Sequence, residues 1–95
     1  MSFTAEADAD LRGIWLFSAD RWGEEKADAY LAKIGLRLEY VRDRPERGRS
    51  LEGLPPFLRF VKSGRHFAFY RWDERMLRVV RVLHESMDPG RYLPD

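Results

Sequence analysis

The chain has 95 residues, 44% hydrophobic and 35% charged, with a formal net charge of +1 and no cysteine. That length holds one domain, residues 1–95. Dispersed apolar residues exclude disorder, and the missing thiols exclude disulfides, thiolate metal sites and cysteine nucleophiles.

The N-terminal segment, Met1–Glu6, has no basic region followed by an apolar stretch and does not read as a signal peptide. Secreted domains of this size generally need disulfides, so a cytoplasmic location is expected. Met1–Thr4 is placed as a short extra strand before the first helix. Residues 7–22 then show helical spacing, with Leu11, Ile14, Trp15, Ser18 and Trp22 on one stripe. Asp8 and Asp10 favour its N-terminal end, and Gly23 stops it. A second helix follows, with Ala27, Tyr30, Leu31, Ile34, Leu38 and Val41 recurring at steps of three and four. Glu24 and Glu25 occupy its first turn and Arg42 and Arg44 its last, and Pro45 ends it. Two amphipathic helices so closely joined predict an antiparallel hairpin, with Leu11, Ile14, Trp15, Tyr30, Leu31 and Ile34 packing it together and onto the sheet.

Pro45, Gly48, Gly53, Pro55 and Pro56 mark a loop over residues 45–56. Three aromatic or apolar runs follow, at Phe57–Lys62, His66–Trp72 and Met76–Leu83. Ser63-Gly64 and Asp73–Arg75 are connectors of hairpin length, so these runs predict an antiparallel meander. The last run is apolar on both faces, as a covered central strand requires. By alternation, Arg81 shares a face with Leu77, Val79 and Leu83. The tail, Met87–Asp95, is non-regular by composition. The fold class is α+β, an N-terminal helical hairpin packed on a small antiparallel sheet.

The charge is uneven. Residues 1–30 hold three basic and seven acidic side chains, and residues 31–95 hold fourteen and nine. A basic C-terminal part suits an acidic partner. No apolar run approaches the ~20 residues of a membrane span, and no phosphate loop, HExxH helix or GxSxG elbow is present. His66 and His84 lack a third ligand, so no metal site and no cofactor are expected. Arg59, Arg71, Arg78 and Arg81 lie in strands and Arg65 at a turn. A guanidinium such as Arg81 beside an apolar face is either a partnered buried charge or the floor of an anion-binding groove. The interleaved aromatics are read as core, so direct nucleic-acid binding is not expected.

Asp10-Leu11, Ile14-Trp15, Arg21-Trp22-Gly23, Ala27 and Tyr30 together resemble the helical hairpin of ParE toxins. Ser63-Gly64-Arg65-His66 with Phe69-Tyr70-Arg71 resembles the following strands of that family. Arg81-Val82-Leu83-His84 with Met87-Asp88 resembles its C-terminal signature. The resemblance implies the RelE/ParE-like fold and the toxin of a type II toxin–antitoxin pair. It further implies a ParD-like antitoxin as partner and DNA gyrase as target, with inhibition by binding and no catalytic residue. Arg59, Arg65, Arg81, His84 and Tyr92 are nominated for target contact. Trp15, Trp22 and Tyr30 are nominated to border a groove for an antitoxin helix. The alternative is a RelE-like ribosome-dependent ribonuclease, with Arg59 and Arg81 on the phosphate and His84 or Tyr92 as acid–base group. That branch is usually richer in lysine than this chain, which has Lys26, Lys33 and Lys62. A third reading is a non-toxic binding module of the same fold.

Overall fold

Thr4 makes the first turn of the chain. In the computed structural model, which describes residues 1–94, strand β1 (Ser2–Phe3) leads into it and helix α1 (Ala5–Trp22) leaves it. The Thr4 hydroxyl accepts the Ala7 N–H at 3.0 Å and donates to the Val80 carbonyl at 2.7 Å, so one side chain caps the helix and fastens it to the sheet. Gly23, at φ +93°, is the whole link between α1 and α2 (Glu24–Arg42), a left-handed position that strains any other residue. The helical hairpin expected from the spacing therefore turns on one residue.

After a single 3₁₀ turn at Pro45–Arg47, the meander follows as β2 (Arg59–Ser63), β3 (His66–Trp72) and β4 (Leu77–His84). The spatial order is β1-β4-β3-β2, with β1 parallel to β4 and the other pairs antiparallel. The sheet is thus mixed, because the short N-terminal strand joins it in the parallel sense. Two strand starts move inward from their predicted positions. Leu58 N–H bonds the Pro55 carbonyl in a turn, which delays β2 to Arg59. Asp73 Oδ1 accepts the N–H groups of Arg75 and Met76, each at 2.9 Å, which holds Met76 in the turn. The tail is not wholly irregular either: Asp88 caps one helical turn, α3 (Pro89–Tyr92).

Ile14, Ile34, Leu38 and Val41 pack with Val61, Ala68, Tyr70, Leu77, Val79 and Val82 between the hairpin and one sheet face. Each such aliphatic side chain contributes about 1.5–3 kcal/mol on burial. Leu11, Tyr30 and Leu31 border this core half-buried. On the opposite face Leu58, Phe60, Phe69, Val80, Leu83 and Leu93 form a second cluster, covered by the 51–58 loop and the tail. β4 is consequently covered on both faces, as its apolar pattern predicts.

One irregularity decides where the side chains of β4 point. Tyr70 pairs with Val79 but Phe69 pairs with Arg81, so Val80 is an extra residue, a β-bulge. Beyond it the alternation is reversed. Leu77 and Val79 face the helices, whereas Leu83 belongs to the far cluster. Arg81 therefore does not share a face with all three, and simple alternation fails at that point. The bulge also sets His66 opposite His84; without the extra residue His66 would face Leu83.

The base of the sheet is tied to the loop by Tyr70. Its buried hydroxyl donates to the Pro45 carbonyl, and burial pushes the phenol up to about 12. A Cβ on Gly48 would lie 1.8 Å from that oxygen, so only glycine fits there.

Candidate functional site: an apolar groove ending in a histidine pair

Three exposed apolar positions of α1 depart from the amphipathic plan. Ile14 and Ser18 are buried, yet Leu16, Phe17 and, a turn on, Trp22 are 64%, 58% and 56% exposed. Phe17 and Trp22 meet edge to face with ring centres 6.2 Å apart, and the Arg21 guanidinium lies 5.0 Å over the Phe17 ring. Beside them runs an open groove of about 440 Å³, lined among others by Gly13, Phe17, Trp22, Tyr30, His66 and His84. Apolar side chains exposed together beside a concave surface make the groove a candidate binding face.

The polar end of the groove is built by the β2–β3 turn and the end of β4. Gly64 takes φ +57° there, and a Cβ on it would meet the Tyr30 ring at 2.7 Å, so the turn admits the tyrosine only as glycine. The Arg65 N–H donates to the Tyr30 hydroxyl at 3.0 Å, and that hydroxyl lies 2.6 Å from His66 Nδ1. His66 and His84 stack edge to face at 5.2 Å. His84 Nδ1 accepts the Ser86 backbone N–H at 3.1 Å and lies 2.7 Å from the Ser86 hydroxyl. A backbone N–H only donates, so Nδ1 is the accepting nitrogen of the His84 ring. Burial, and then the adjacent His84, hold His66 below the usual imidazole range.

The arginines nominated from sequence do not line the groove, and their side chains have partners. Arg81 forms a bidentate pair with Asp10 of α1, Nε to Oδ2 at 2.8 Å and Nη2 to Oδ1 at 2.9 Å. Asp10 Oδ2 also accepts the Val82 N–H at 2.9 Å, closing the edge of β4 where β1 has ended. Hydrogen bonding to Asp10 pushes the Arg81 guanidinium further up. Of the two alternatives for Arg81, the geometry is that of a partnered, largely buried charge. Arg59 donates to the carbonyls of Glu46 and Gly48, each at 3.0 Å. Its Nε is buried without a partner among the described residues. Arg65 pairs with Glu85 at 3.0 Å, and Lys62 with the same carboxylate at 3.3 Å.

Of the nominated groove residues, Trp22 and Tyr30 line it. Trp15 does not; its indole N–H donates to Asp28 at 2.8 Å and ties α1 to α2. Of the nominated target contacts, His84 lies in the groove, Arg65 stands near its polar end, and Arg59, Arg81 and Tyr92 are apart from it. Phe17, Gly13, Met87 and His66 line the groove without having been singled out for it. Phe17 had a readable signal, an aromatic residue just off the buried stripe. His66 had none, because its partner is set by the bulge. Among the described residues no three His, Cys, Asp or Glu side chains converge on a possible metal position. No described helix is long and apolar enough to cross a membrane.

Comparison with known proteins places this architecture. Residues 1–89 match the ParE toxin of the type II toxin–antitoxin system, parDE. The toxin ParE1 of Caulobacter vibrioides is 38% identical over 87 residues, covering 92% of this chain and 90% of that protein. The toxin ParE of Escherichia coli is 36% identical over 94 residues, covering 97% and 90%. Among solved structures, a chain of the chromosomal ParDE system from P. aeruginosa superimposes with a TM-score of 0.74. It is 20% identical and covers 87% of this chain and 91% of that one, a likeness of fold.

Proposed function

This chain belongs to the ParE toxin family of type II toxin–antitoxin systems, and from that premise we propose that it acts in the cytoplasm by binding and inhibiting DNA gyrase, and that a ParD-like antitoxin neutralises it. The observation that carries the antitoxin part is the groove beside Phe17 and Trp22, each more than half exposed on a helix whose other face is core. An amphipathic helix laid along it would bury both rings against apolar side chains. Binding rather than phosphoryl chemistry is favoured by the fate of the arginines. A phosphorane-like transition state needs free cations aimed at it, and here Arg59 is spent on loop carbonyls and Arg81 on Asp10.

One observation favours the ribonuclease reading, namely the His66–His84 pair with Tyr30 at the groove end, a set able to move protons. The two readings separate in paired assays of wild type and His84→Gln, one of gyrase supercoiling and one of message cleavage on ribosomes. The expected result is inhibited supercoiling, intact message, and a change of roughly tenfold or less in His84→Gln, the scale of a lost contact. Cleaved message with untouched gyrase, abolished by His84→Gln, would overturn the proposal.

A further inference from the structure

On the sheet face turned away from the helices, two arginines stand directly opposite each other. Arg71 and Arg78 are partners in the β3–β4 ladder. Arg71 lies between Tyr70 and Trp72 and Arg78 between Leu77 and Val79, all of which pack toward the helices, so both guanidinium stems leave from the far face. Like charges placed opposite in a ladder oppose folding. Among the described residues the Arg78 side chain bonds only the Ser2 hydroxyl, at 3.2 Å. None of the ion pairs among the described residues involves Arg71, Arg78 or Arg91. Arg71 is shared by two adjoining shallow hollows. One is bordered by Arg78, Trp72 and Met76, the other by Arg91, Tyr92 and Leu93.

We propose that Arg71, Arg78 and Arg91 form a second binding site, which takes a short extended segment of a partner protein whose carboxylates face the arginines and which carries an apolar side chain at each end. Guanidinium groups receive carboxylates through paired N–H donors, and three of them along neighbouring hollows match a run of acidic residues. Met76 and Tyr92, 47% and 41% exposed, supply apolar contacts at the two ends. A phosphodiester backbone offers no apolar group to meet them. A formal net charge of +1 also gives little long-range attraction for a polyanion such as DNA. The carboxylates at the rim, Glu6 and Asp73, do not occupy the arginines, and Asp73 is engaged by its own turn. None of these residues lines the groove, so the site is separate from the surface proposed for the antitoxin helix.

The test is fluorescence anisotropy with a labelled peptide of sequence Leu-Ser-Glu-Ser-Glu-Ser-Glu-Ser-Leu, which sets its carboxylates and its two leucines on one face when extended, using the full chain. The peptide should bind saturably and more weakly as salt rises. Affinity should fall roughly tenfold or more in Arg71→Gln/Arg78→Gln, on the scale of losing charge-assisted pairs, and stay unchanged in the Lys33→Gln control on α2. Arg78→Glu should lose binding while melting at a higher temperature than wild type, because an opposed like-charge pair becomes an attractive one. That rise separates a lost site from a damaged fold. Binding that survives the double substitution would overturn the proposal. So would tighter binding of a labelled DNA duplex than of the peptide. So would self-association through the acidic α1 of a second copy, seen by sedimentation and lost in the double variant. The assay contains neither gyrase nor antitoxin, so failure of the function proposed above would leave its outcome unaffected.

Discussion

Replacing Asp10 by alanine tests whether Arg81 is a structural or a contact residue. In the native fold the carboxylate accepts three hydrogen bonds, two from Arg81 and one from the Val82 N–H, at 2.8–2.9 Å. The paired side chains are 20% and 15% exposed, so solvent replaces few of these bonds. Arg81 keeps only its bond to the Tyr92 carbonyl, at 3.2 Å. Removing one member of a buried pair costs about 3–5 kcal/mol, part of it from the uncompensated charge and part from the orphaned N–H. Against a total of roughly 5–15 kcal/mol this leaves a marginal fold. Urea unfolding followed by circular dichroism should show the loss as a lower midpoint at an unchanged slope. Asp10→Leu/Arg81→Met should recover most of it, since no charge is then stranded. A cost below about 1 kcal/mol, with no coupling between the two positions, would refute the reasoning. The guanidinium would then be solvated and free to meet a target.

Ile34 is 2% exposed inside the helix–sheet core and Leu31 only borders it, so Ile34→Ala should cost ~2–5 kcal/mol and Leu31→Ala clearly less; thermal melts of the two variants compare them directly, and equal losses would contradict the packing. Because His66 is held below its ordinary value of 6.5, the folded state takes up its proton later than the unfolded chain. Its contribution is therefore complete above about pH 6.5 and is lost as pH falls through the depressed folded value. The acid limb of the stability–pH curve should flatten in His66→Gln, and an identical limb would show that the imidazole is not desolvated.

The helical hairpin was legible because Ala27, Ile34, Leu38 and Val41 repeat at the spacing of one helical face, and all four are buried. The sheet was legible in its strands but not in its register. Val79 and Val80 are adjacent apolar residues, and nothing local says which one the ladder skips. The skip nevertheless sends Leu83 to the far cluster and brings His84 to His66. The groove was half legible: Trp22 and Tyr30 stood out as aromatics on helices, but Trp15 turned across the hairpin to Asp28, and sequence does not show that a neighbouring helix offers a carboxylate. The sheet arginines were visible as residues and not as pairs. Arg81 lies 71 positions from Asp10, a separation that no local pattern reports.

The same separation has a consequence for the order in which the protein is made. β4 lies between β1 and β3, and the links from Thr4 to Val80 and from Asp10 to Val82 span 76 and 72 positions. A nascent chain leaves the ribosome N-terminal end first, at about 5–20 residues per second. The hairpin of α1 and α2 thus emerges early, while the inner strand against which α1 is fastened is among the last segments to appear. Until then the groove has one wall, because His66, Val82 and His84 are missing from its other side. Translation that stops short of β4 yields a helical pair without the completed binding face, so the assembled groove is a property of the nearly finished chain.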